Sequence, residues 1–108
     1  MLSPDLRLVS HPLTSLHRMT GDTKLWRRIQ AGHSQNVDFR DFCRLIESFD
    51  FKLHRQRGSH LVYANGLVKE IISVQPKGDG SAKAYQVRQL RNLVREYDLR
   101  MSKGGTHE

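Results

Sequence analysis

The chain has one cysteine in 108 residues, Cys43. A single thiol cannot close an intramolecular disulfide or build a thiolate metal cluster, and such usage suits a reducing compartment. No stretch approaches the eighteen or so apolar residues that a membrane span needs, and the first residues lack the apolar core of a signal peptide. The expectation is therefore a cytoplasmic protein with no membrane partner. No two histidines have zinc-finger or zincin spacing, so neither a metal nor another cofactor is expected. No internal repeat or low-complexity segment occurs. Acidic residues are scarce too: 11 Asp+Glu against 18 Lys+Arg leave a formal charge of +7 and a pI near 10.1. That field attracts polyanions, with nucleic acid first among them, although an acidic protein would satisfy it equally.

What is present suffices for one small domain: 37% of the residues are hydrophobic. Residues 1–20 carry Pro4 and Pro12 with no helical or strand period and read as a flexible arm, in which Met19 is an alternative start. Asp22 is a plausible cap for a short helix over Thr23 to Ala31, with Leu25, Trp26 and Ile29 inward and Gly32 as its stop. Trp26 reads as an anchor on the domain, with base stacking as the alternative. Asp38 caps a second helix, in which Phe39, Phe42, Cys43, Ile46 and Phe49 recur at helical spacing. Phe51 to Arg55 then alternates as a half-buried strand, and His60 to Tyr63 form the next one. Asn65-Gly66 is a hairpin signal that calls for positive φ at both positions, with a third strand from Leu67 to Val74. Residues 76–81 read as a mobile loop. A last helix sets Tyr85, Val87, Leu90, Val94 and Tyr97 on one side and Arg88, Arg91 and Arg95 on another. Residues 102–108 read as a flexible tail. The result is an α+β domain over residues 21–101, α-β-β-β-α with a short leading helix. Helices would cover one face of a three-stranded antiparallel sheet.

Arg57-Gly58-Ser59-His60 carries the chemistry. A glycine turn sets an imidazole beside a hydroxyl and a guanidinium, and imidazole titrates near neutrality, where proton transfer is worth about 10²–10⁴-fold. RNA can be cut without metal once a base takes the 2′-hydroxyl proton, so a base, an acid and a cation suffice. Arg55, Arg57 and Lys69 are candidates to hold the phosphate, with Ser59 bonding it or fixing the turn at Gly58. Lys77, Lys83, Arg88 and Arg91 are candidates to follow the RNA backbone. His60 also reads as a strand-end residue that caps a turn, and the arginine stripe as a solvated helix face. His54, six residues earlier, could meet His60 across the turn, and it reads otherwise as an exposed strand residue.

The order of these parts resembles the HicA family of toxin–antitoxin ribonucleases. The resemblance runs through Phe39 to Ser48, the segment Lys52 to His60 with its Gly-Ser-His turn, Ile72-Ser73-Val74-Gln75-Pro76, and Lys83 to Leu90. It departs from many members at Leu61, where they carry a second histidine, and at Gln75, where they carry a histidine before the loop proline. A variant group with Gln-Pro and a Tyr-Gln-Val-Arg-Gln helix start is closer to this chain. The resemblance implies a double-stranded-RNA-binding-like fold and a toxin that cleaves mRNA without metal, with His60 as general acid/base. It also implies a cognate HicB-like antitoxin that covers the Gly-Ser-His surface. The alternatives are a non-catalytic RNA-binding module and a basic protein-interaction domain.

Overall fold

The computed structural model describes residues 21–102. The elements run α1 (Gly21–Gln30), α2 (Phe39–Ser48), β1 (Lys52–Arg57), β2 (His60–Ala64), β3 (Ile72–Val74) and α3 (Ala84–Tyr97). The expected flexible arm, with Met19, lies outside the described residues, as do residues 103–108 of the expected tail. The backbone of Ser102 bonds to the domain: its N–H donates to the Ser48 carbonyl at 2.6 Å.

Caps set the helix ends. Gly32 takes φ 100, its N–H donates to Ile29 O, and the N–H of His33 donates to Arg28 O, so two last-turn carbonyls of α1 are paired. Asp38, in extended backbone at φ −62 and ψ 135, accepts the Asp41 N–H at 3.1 Å and starts α2 as expected. Asp22 is not a cap. It lies within the first turn of α1, where a negative charge complements the helix dipole, and its carboxylate is 3.7 Å from Nε of Arg44.

The sheet is an antiparallel meander in the order β1-β2-β3. Leu53, Tyr63 and Ile72 share one row, as do Gln56, Leu61 and Val74. Because Tyr63, Ile72 and Val74 are buried, these rows define the side against which the helices pack. Phe42, Leu45 and Ile46 come from α2 and Phe49 from its C-cap, Ile29 from α1, and Val87, Leu90, Leu93 and Val94 from α3. Trp26 meets Phe49 edge to face, with ring centroids 4.9 Å apart, which is the anchoring role rather than base stacking.

Five expectations need correction. Every residue of β1 is exposed, so it is not a half-buried strand, and the sheet order places it at an edge. Asn65-Gly66 is not a two-residue hairpin, since neither residue has positive φ. Asn65 instead caps a turn, its Oδ1 accepting the Leu67 N–H at 2.8 Å while its Nδ2 donates to Phe49 O at 2.9 Å. The third strand therefore begins only at Ile72. Nor is the loop at 76–81 free: Pro76 bridges Ala82, Asp38 bridges Ser81, and the Ala82 N–H donates to Val37 O at 2.7 Å. Asp79 accepts the Ser81 hydroxyl and then its N–H, which holds the Asp79 carboxyl below its ordinary value. Finally, Tyr85 does not join the packed side of α3. It lies two residues from Val87, about 200° around the helix, and is 60% exposed.

Candidate nucleic-acid interface and active site

Arg57 pairs with His60, so Gly58-Ser59 is a two-residue hairpin loop. Gly58 has φ 59 while Ser59 does not enter positive φ, the pattern of a II′ turn with glycine at its first central position. The turn fixes an arginine directly across from the histidine.

The same register brings in the second arginine: counted back from the turn, Gln56 pairs with Leu61 and Arg55 with Val62, so Arg55 and Arg57 both lie on the side of Val62 and His60. Leu53 pairs with Tyr63, leaving His54 as an extra residue in β1. Strict alternation counted forward from Leu53 would carry Arg55 onto the row of Leu61, toward the helices, and the bulge at His54 reconciles the inward Leu53 with the outward Arg55. Ser73, paired with Val62 from β3, lies on the same side. These five residues line a cleft of about 250 Å³ on the side opposite the helices. His54 sits between the rows of Tyr63 and Val62 and does not meet His60, whose partner is Arg57. Sequence reasoning missed Ser73, although a serine between Ile72 and Val74 carries the signal. Two apolar neighbours facing the core leave it the other face.

The cleft contains two guanidinium groups, an imidazole and a hydroxyl. Among the described residues no carboxylate pairs with Arg55, Arg57 or His60, so the cationic groups are available to an incoming anion. The ladder that pairs Leu61 with Val74 stops there, and Gln75 follows β3 on the side where His60 begins β2. Gln75 is held from two directions. Its N–H donates to Gln86 Oε1 at 3.2 Å, and its Oε1 accepts Lys83 Nζ at 3.4 Å. Lys83 thus stands at the His60 end of the sheet, and Lys77 lies in the adjoining loop.

The other predicted contacts are elsewhere. Lys69 follows β2 at the far end of the sheet, beyond Ala64 and about 13 Å or more from the turn; its N–H donates to the Tyr97 phenol at 3.4 Å. Arg88 reaches Ser34 in the α1–α2 connection at 3.4 Å, and Arg91 is partly buried with an unpartnered Nε. Both are on the helical layer and not in the cleft. Cys43 packs against the core, and burial raises its thiol pKa, as expected of a small hydrophobe rather than a nucleophile. Among the described residues, no group of three or more His, Cys, Asp or Glu side chains gathers as metal ligands would, and no helix is long and apolar enough to cross a membrane.

No curated protein and no solved structure matches the chain. The family model described as HicA toxin of bacterial toxin-antitoxin matches residues 39–95, from the start of α2 through the bulge, the Gly58 turn and the Gln75 junction to the last turns of α3. That span is over half of the chain and contains every residue of the cleft, so the chain belongs to the HicA family of bacterial toxin–antitoxin toxins.

Proposed function

We propose that this toxin is an endoribonuclease that cleaves mRNA, with His60 as the group that moves protons. The observation that carries this reading is the register set by the Gly58 turn, which places Arg57 opposite His60 and Arg55 opposite Val62 in one cleft with Ser73 beside them. In the proposed reaction the imidazole takes the proton from a ribose 2′-hydroxyl. The 2′-oxygen forms a bond to the adjacent phosphorus, and the bond from phosphorus to the 5′-oxygen breaks. The 5′-oxygen leaves with a proton from water as the His60 imidazolium returns its own to solvent, and a 2′,3′-cyclic phosphate remains. Arg55 and Arg57 offset charge that grows on the non-bridging oxygens, and Ser73 and Ser59 supply hydroxyls to the same phosphate. Lining of this cationic kind suits a phosphodiester and is a poor donor set for a divalent ion. Lys77 and Lys83 extend the positive surface along the RNA. An antitoxin of the HicB type would silence the enzyme by placing acidic or hydrogen-bonding groups over Arg57, Ser59 and His60.

Replacing His60 by Ala tests the core of this reading. The expected result is loss of cleavage by 10²-fold or more with RNA affinity and fold retained. An oligonucleotide with 2′-deoxyribose at the cut position should bind and survive, and magnesium should not be required. Undiminished cleavage by the variant, or cutting of the deoxy substrate, would exclude the mechanism. Occlusion is read separately: diethyl pyrocarbonate should modify His60 in the free toxin and spare it in the antitoxin complex.

A further inference from the structure

Tyr85 is an exposed aromatic ring held in a fixed place. It is 60% exposed in the first turn of α3, yet its phenol oxygen accepts Gln86 Nε2 at 3.2 Å, and Gln86 is itself only 5% exposed. The same Gln86 side chain accepts the N–H of Gln75 through Oε1, so one buried amide ties the Tyr85 ring to the residue that follows β3 beside His60. Gln75 in turn holds Lys83 Nζ. A buried amide spends both its polar atoms on fixing these two neighbours, and the ring it fixes is left mostly exposed.

We infer that Tyr85 is a stacking platform for one base of single-stranded RNA flanking the scissile phosphate. This makes it a positioning residue of the site, and the inference rests on the ribonuclease reading above. A base stacked on an anchored ring, tied through Gln86 to Gln75 at the end of the sheet where His60 begins β2, fixes where the backbone enters the site. Stacking of this kind accepts any base, because every base has a π-face, so it sets register along the strand more than sequence preference. The Gln86 tether has a purpose on this view: a free tyrosine would lose rotamer freedom on binding, and a tethered one has little left to lose.

The experiment uses the full chain as His60→Ala, to keep RNA intact, with single-stranded oligonucleotides that carry 2-aminopurine at successive positions. Quenching is expected at a defined position, to disappear in the His60→Ala/Tyr85→Ala protein and to persist with Tyr85→Trp. In the otherwise native chain, Tyr85→Ala should raise KM ten-fold to a hundred-fold with kcat changed far less, and Tyr85→Phe or Tyr85→Trp should restore it. Quenching and KM unchanged by Tyr85→Ala would overturn the inference while leaving the ribonuclease reading intact. Loss of antitoxin binding alone would overturn it too and assign the ring to a protein contact. Tyr85-dependent quenching in a protein that cuts nothing when His60 is present would retain the stacking role and remove the catalytic one.

Discussion

Gly58 and Tyr85 show how much one position decides here. Nothing lies within 4 Å of where a Cβ at Gly58 would sit, so a larger side chain meets no wall. The difficulty is the backbone, since φ 59 is a conformation that L-residues resist by roughly 1–2 kcal/mol. Gly58→Ala is therefore expected to lower stability by about 1–2 kcal/mol and to cut cleavage by more than that loss of folded protein explains, because the turn aligns Arg57 with His60. Urea titration beside single-turnover rates separates the two effects. Full activity in a destabilised variant would mean the turn is only a connector. Asp38→Ala is a matched control, expected to cost about 1 kcal/mol through the lost cap on α2 without touching the cleft.

At the scale of elements, the register that the Gly58 turn imposes on β1 is the feature on which the site depends. Inserting one alanine between Gln56 and Arg57 would, with the turn kept, move Arg55 from Val62 to Tyr63 and turn it toward the helices. The expected outcome is a folded protein that binds RNA more weakly and cleaves it at least ten-fold more slowly. Circular dichroism and cleavage rates measured together check it, and an insertion variant with native rates would show that Arg55 does not act in the cleft. The bulge at His54 explains which parts of the structure were readable from residues alone. Helices with a cap and a 3.6-residue stripe, such as α2, were readable because local chemistry sets their ends and faces. The Gly58 turn was readable because glycine there is a local requirement. The facing of β1 was not, since a bulge is a property of the pair and the partner's register is written in β2. Asn65-Gly66 misled for a related reason: its preference for a tight turn lost to the buried bond between Asn65 and the Phe49 carbonyl. The position of Tyr85 was present in the sequence as its two-residue offset from Val87.

The charges act together at the scale of the whole molecule, and their effects are read through solvent conditions. With a formal charge of +7, RNA affinity should fall steeply between low and physiological salt as neutralised phosphates release counterions, and a flat response would mean that the field serves another partner. The double replacement of Arg88 and Arg91 should weaken binding without moving the cut, since both lie on the helical layer. Raising the pH acts on the fold itself. Burial raises the pKa of the Tyr63 phenol far above its usual 10, and the neighbouring Cys43 and Glu47 reinforce the shift; the phenol is 3.1 Å from Glu47 Oε2. The Tyr97 phenol is raised chiefly by its hydrogen bond to Glu70, and the Cys43 thiol chiefly by burial. In each case the folded chain keeps a proton that the unfolded chain releases. Stability from these groups is complete below the unfolded values and declines as pH rises above about 9 to 10, because the folded state then binds more protons than the unfolded one. Urea midpoints should accordingly drop between pH 8 and pH 10.5. Tyr63→Phe should start slightly less stable at neutral pH, having lost its bond to Glu47, and should lose less on going to alkali. An equally steep decline in that variant would show that the alkaline sensitivity arises outside the Tyr63 site.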